Sequence, residues 1–126
     1  MRVFKTKWFA RFARNEGIAD RSLSEAIGRA ERGVIDADLG GGLIKLRIAR
    51  QGQGRSGGYR MIVPFRAKDR AAFLFGFAKS ERENINSDEL LFLLKLAENW
   101  LSADAVRIRV ELEAGNLQEF EYDWKT

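Results

Sequence analysis

Between Leu43 and Ala78 three runs of alternating residues follow one another with short breaks, and this pattern commits the middle of the chain to an antiparallel sheet. In the first run Ile44, Leu46 and Ile48 alternate with Lys45 and Arg47, as in a half-buried strand. In the second, Tyr59, Met61, Val63 and Phe65 share one face while Arg60 and Ile62 take the other. The third places Phe73, Phe75 and Phe77 between Leu74, Gly76 and Ala78; being apolar on both faces, it belongs in the middle of the sheet. Arg66–Arg70 is short enough for a hairpin loop, and Pro64, the one proline, marks a strand edge or a bulge.

Helical patterns flank these strands. A short strand over Arg2 to Lys5 leads to a helix from about Lys7 to Asn15 stopped by Gly17, with Trp8, Phe9 and Phe12 read as core. A second helix reads from about Arg21 to Arg32, carrying the stripe Leu23, Ala26, Ile27 and Ala30. Asp20 or a Ser22/Glu25 capping box would start it, and Gly33 would end it. Asp38-Leu39-Gly40-Gly41-Gly42 is a turn region. A third helix begins at Ser87 with Asp88 and Glu89 in its first turn, and buries Leu90, Leu93, Leu94, Ala97 and Leu101. Leu91, Phe92 and Trp100 widen that stripe, read here as a generous core with a partner surface as the alternative. Residues 102–126 fit either a helix followed by a strand or a β-hairpin, because Val106, Ile108, Val110 and Leu112 alternate between a Ser102 cap and Gly115.

The 126 residues fit a single α+β domain over 1–126, with 102–126 as an acidic extension. The chain has neither cysteine nor histidine. That removes thiol nucleophiles, Ser-His-Asp triads and the usual zinc sites, so neither metal nor cofactor is expected. Catalysis would have to run on carboxylates, Lys, Arg, Tyr, Ser or backbone groups. No stretch approaches the roughly 20 apolar residues that span a bilayer, so no membrane contact and a cytoplasmic location are expected. Lys45–Arg82 holds ten basic side chains against Asp69 and Glu81, a net of +8, whereas residues 102–126 hold three basic and six acidic ones, a net of −3. So basic a stripe is the footprint of a phosphate-binding surface, in which Lys45, Arg47, Arg50 and Arg82 are candidate contacts.

Within it lies Gly52-Gln53-Gly54-Arg55-Ser56-Gly57-Gly58-Tyr59-Arg60. Glycines between two strands let backbone N–H groups approach an anion, making Gly54, Ser56, Gly57 and Gly58 candidate phosphate contacts beside Arg55 and Arg60. A second cluster, Phe77-Ala78-Lys79-Ser80-Glu81-Arg82-Glu83-Asn84, follows the third strand, where an antiparallel meander returns Lys79 toward Arg60.

These segments, together with Phe4-Lys5-Thr6-Lys7-Trp8-Phe9, Ile35-Asp36-Ala37-Asp38-Leu39-Gly40-Gly41 and Glu83-Asn84-Ile85, resemble the RelE/ParE superfamily of bacterial toxins and its HigB-like RelE branch. The resemblance runs from the N-terminus to about residue 114. It implies a compact strand, helix and antiparallel-sheet fold with a further helix here, and RNase activity on mRNA in the ribosomal A site. It also implies a cognate antitoxin, often bearing a helix-turn-helix domain. Arg55 occupies a position frequently held by lysine in such toxins.

In metal-independent RNA cleavage the ribose 2′-OH attacks its own phosphate, so the protein must align that hydroxyl, stabilise charge on the phosphate and move protons. Arg60 is the first choice for the charge, then Arg55, then Arg47, since a guanidinium binds phosphate bidentately and stays charged. Lys79, Tyr59 and Glu81 are candidates for proton transfer, and Tyr59 could instead stack on a base. Alternative readings are a ParE-type gyrase inhibitor and a catalytically silent RNA-binding domain.

Overall fold

In the computed structural model the described residues are 1–50 and 54–122, with the side chains of 54–56 left aside. The elements run β1 (Arg2–Thr6), α1 (Lys7–Glu16), α2 (Asp20–Glu31), β2 (Ala37–Gly40), β3 (Leu43–Arg50), β4 (Gly54–Arg66), β5 (Arg70–Phe73), β6 (Phe75–Ala78), α3 (Ser87–Ser102), α4 (Ala105–Glu113) and β7 (Leu117–Phe120). The strands form one sheet in the order β2-β3-β4-β5-β1-β7, with β6 also paired to β4. Only β1 and β5 run parallel among the described pairs. The architecture is α+β.

Period-2 alternation sorts the side chains to two faces. Ile44, Leu46, Ile48, Tyr59, Met61 and Val63 pack against Phe9, Leu23 and Ile27 of α1 and α2. Leu43, Ile62 and Leu74 point the other way, against Leu93 and Ala97 of α3. At the far end of that second face Phe4 and Ala72 pack with Ile108 beside α4. Complete burial of side chains such as Phe9, Leu23 and Met61 contributes about 1.5–3 kcal/mol each. The β2–β3 hairpin turns on Gly41 and Gly42, whose φ values of 60° and 82° are those of a two-residue turn with both central residues left-handed.

The third apolar run is not one regular strand. β4 pairs Ile62 with Phe75 but Phe65 with Ala71, so one extra residue is accommodated around Leu74. This bulge turns Phe73 to the α1–α2 face while Leu74 and Phe75 both meet α3, which corrects the expectation of a single Phe73/Phe75/Phe77 face. Pro64, with no N–H to give, lies opposite the break.

Several local expectations change for identifiable reasons. Asp20 does not cap α2: Ala19 holds that position without a side-chain hydrogen bond, and the Asp20 carboxylate accepts from Lys5 Nζ at 2.7 Å. Gly33 ends α2 as expected: it follows the C-cap residue Arg32 in the left-handed region at φ 82°, with Gly33 N donating to Ala30 O and Val34 N to Arg29 O. α3 does begin at Ser87 as expected, and Asn86 before it is the cap, through a reciprocal capping box with Glu89. Trp8 is not core: its side is 47% exposed, stacked between Phe12 at 5.4 Å and Phe75 at 4.9 Å. Leu91 and Phe92 are likewise exposed, Phe92 by 62%, so the core accounts for Trp100, which packs against it, but not for these two. The tail is helix then strand; Asp104, not Ser102, caps α4 by accepting from Arg107 N, and β7 pairs with β1.

Candidate functional site

On the α3 face, β3 and β4 extend past the helix, and the positions after Leu43 and before Ile62 are filled by Lys45, Arg47 and Arg60. Cross-strand register sets Arg47, Arg60 and Phe77 in one row. Asp36 enters from the start of β2, anchored by its N–H donating to Lys45 O at 2.8 Å. Its carboxylate meets Arg47 Nε at 2.6 Å, Lys45 Nζ at 3.5 Å and Arg60 Nε at 3.5 Å. Burial pushes the Asp36 carboxyl up, but the hydrogen bond from Arg47 and the charges of Arg47, Lys45 and Arg60 together outweigh it and hold the group below the usual carboxylate range. Asp36 is therefore an anchored anion and a poor base. Three cations around one carboxylate leave this cluster at +2.

The exposures differ within it. The Arg60 side chain is 5% exposed, beneath the surface, while that of Arg47 is half open and has its carbonyl held by Arg29 Nη2 at 2.7 Å. Arg60, the first choice for the phosphate charge, thus sits beneath the surface while Arg47 is the more open of the two.

The segment after β6 joins the same face. Lys45 Nζ also donates to Asn84 Oδ1 at 3.4 Å, and Arg82 donates to Asn84 O at 2.9 Å. The Arg82 guanidinium lies 5.4 Å from the centroid of Phe77 and pairs with Glu89 at 2.5 Å. Lys79 Nζ donates to Glu83 O at 3.3 Å. Arg82 lies on the side of the sheet that carries Arg60, over Phe77 of the same row, and Lys79 opens the turn that leads to it.

Other candidates fall elsewhere. Tyr59 faces α1 and α2, is buried, and donates its hydroxyl to Glu16 Oε1 at 2.9 Å. Burial, then the bond to Glu16, pushes its phenol up, away from easy proton loss. Arg50 follows it: its guanidinium lies 5.6 Å from the Tyr59 ring centroid, off the face of Arg60. Glu81 is exposed in the turn after β6, and its charge adds to the upward push on the Tyr59 phenol.

The glycine-rich stretch is mostly strand. Gly54 already pairs with Arg50, and β4 runs on through Gly57 and Gly58. A Cβ on Gly58 would collide with Ile48 O and lie 2.7 Å from Arg50 N, so Gly58 serves close approach of β3 and β4 rather than an anion. Gly52 and Gln53 lie outside the described residues, as do the side chains of Arg55 and Ser56.

Sequence reasoning passed over Asp36, which it used only as part of a motif. The signal was present: a hairpin centred on Gly41-Gly42 pairs Ala37 with Lys45 and so delivers Asp36 beside the basic residues of β3.

Residues 1–120 match the family model of the RelE toxin of the RelE / RelB toxin-antitoxin system. The chain belongs to this family. The match reaches past residue 114 and takes in α4 and β7. Membership makes this RelE toxin one half of a toxin–antitoxin system, with a cognate antitoxin as partner. No helix among its described residues is long and apolar enough to cross a membrane.

Proposed function

We propose that this RelE toxin is a ribosome-dependent mRNA endonuclease, of the HigB-like branch, that acts in the cytoplasm by promoting attack of a ribose 2′-OH on the adjacent phosphate. The observation that carries the reading is the gathering of Lys45, Arg47 and Arg60 on one sheet face around the ionised carboxylate of Asp36, with Arg82, itself paired to Glu89, joined to Lys45 through Asn84. A phosphodiester gains negative charge as the 2′-OH attacks, and fixed cations aimed at that position lower the barrier. Arg47 is the open fork on this face, and Arg60 reinforces it from below. Lys79 is the proton carrier: its amine takes the 2′-OH proton as the new P–O2′ bond forms and the P–O5′ bond breaks, and water supplies the proton with which the 5′-oxygen leaves, giving a 5′-hydroxyl on one product and a cyclic phosphate on the other. Arg55 is expected to add charge from the β3–β4 hairpin.

With no histidine in the chain, alignment of the 2′-OH falls largely to the ribosome. Little cleavage of naked RNA and clear cleavage on translating ribosomes are therefore expected. The antitoxin, expected to bear a helix-turn-helix domain, would silence the toxin by laying an acidic segment over the Lys45–Arg82 surface. Primer extension on mRNA after induced expression tests the reading. Stops within translated codons support it; intact mRNA together with DNA damage would instead identify a gyrase poison.

A further inference from the structure

Arg50 ends β3 inside the basic stripe, yet its side chain turns to the face opposite Arg60. There its guanidinium lies over the Tyr59 ring and Nη1 donates to Ser80 Oγ at 3.3 Å. The ring itself is fixed from α1, because its hydroxyl donates to Glu16 and its edge meets Phe12 at 6.0 Å. Ser80 directly follows Lys79. The Lys79 N–H donates to Gly58 O at 2.9 Å, and Gly58 is the glycine pressed against the backbone of Ile48 and Arg50. Three chain segments therefore meet at one point: the end of β3, the Gly58–Tyr59 part of β4, and the turn after β6. That turn closes through Glu81 N and Arg82 N, both donating to Ala78 O. Backbone bonds hold its start, and Arg50 adds a side-chain tie from another strand.

We propose that Arg50 is a positioning residue for Lys79: from the reverse side of the sheet it ties the end of β3 to Ser80 and so fixes the turn from which Lys79 reaches the RNA face. The inference rests on the nuclease reading above. Arginine suits the task because its planar head stacks on an aromatic ring while its edge still donates hydrogen bonds. A lysine ammonium has no plane to stack, so Arg50→Lys is not a conservative change here.

The test compares full-length Ser80→Ala, Ser80→Thr and Arg50→Lys with the parent. Two quantities are read: hydrogen exchange at the Lys79 amide, and single-turnover cleavage on programmed ribosomes across pH. In Ser80→Ala and Arg50→Lys the Lys79 amide is expected to exchange faster with an unchanged urea midpoint. The saturating cleavage rate should fall roughly 10–10²-fold, the scale of a small misplacement, with the half-saturating ribosome concentration unchanged and the pH profile displaced. Ser80→Thr, which keeps the hydroxyl, should restore both. Parental exchange in Ser80→Ala overturns the tie, and altered exchange with parental cleavage overturns its positioning role. A parent that cleaves nothing overturns the nuclease reading itself, and is told apart because exchange is still measured.

Discussion

Arg60 Nε lies 3.5 Å from Asp36 Oδ2, and both side chains are almost closed to solvent, at 5% and 9% exposure. This is a buried ion pair in the floor of the basic face. Its partners Lys45 and Arg47 share the carboxylate, so removing Asp36 leaves three cations facing one another. Asp36→Ala should cost about 3 kcal/mol, the scale for breaking a buried ion pair by removing one partner. Urea unfolding at neutral pH measures it, and a change below about 0.5 kcal/mol, the range of ordinary surface substitutions, would show the pair to be dispensable.

The same carboxylate sets a pH dependence. Its folded pKa is lowered, so its contribution to stability is full above the unfolded aspartate value of about 3.9 and is lost as pH falls through the folded value. Asp36→Asn removes that dependence. The stability gap between parent and Asp36→Asn should therefore be constant from about pH 5 to 7 and shrink on further acidification. Urea midpoints at several pH values give the gap directly, and one that widens toward low pH reverses the sign and refutes the assignment.

Gly58 tests the packing of β3 on β4. A methyl group there meets main-chain atoms of Ile48 and Arg50, which cannot swing aside as a flexible side chain would. Gly58→Ala should destabilise by about 3 kcal/mol, the upper part of the usual overpacking range. Thermal unfolding checks this. A parental midpoint would mean that the strands separate without cost, and would reopen an anion-binding role for this glycine.

Tyr59 separates the two faces of the sheet. Tyr59→Phe loses the hydrogen bond to Glu16 and should cost about 1 kcal/mol, while the ring stays in place under Arg50. Because the hydroxyl points away from Arg60, ribosomal cleavage should stay within about twofold of the parent, far short of the 10²–10⁴-fold loss expected for a general acid or base. A loss on that larger scale would return Tyr59 to the list of proton carriers.

How much of this was readable in the sequence follows from what local patterns encode. Alternation in Leu43–Arg50 and Tyr59–Phe65 assigns each side chain to a face, so the split between Tyr59 and Arg60 was legible. Alternation does not say which face a helix later covers or how deeply. The burial of Arg60 depends on Asp36, far away in sequence, arriving across β3. The bulge at Leu74 was hidden because a run apolar on both faces reads the same in either register. Trp8 looked like core for a similar reason: helical spacing groups it with Phe12, but α1 buries Phe9, Ala10 and Ala13, and leaves Trp8 at the edge of β6.

The last prediction distinguishes charge from proton transfer at Lys79. Removing the amine abolishes either role, so Lys79→Ala alone, expected to lose about 10²–10⁴-fold, does not separate them. Lys79→Arg does, because a guanidinium keeps the charge yet stays protonated at every working pH. A purely electrostatic Lys79 would be largely replaced by arginine, with an unchanged pH–rate profile. A proton carrier would not: Lys79→Arg should fall nearly as far as Lys79→Ala and lose one limb of the profile. Arg47→Lys is the control, since Arg47 is placed to stabilise charge; it should keep the parental profile while losing the bidentate geometry and part of the rate. Single-turnover cleavage on programmed ribosomes from about pH 6 to 9 reads all of these. If Lys79→Arg cleaves at parental rates, Lys79 belongs with Arg47 among the phosphate-holding cations, and the 2′-OH proton must leave by way of the ribosome or water.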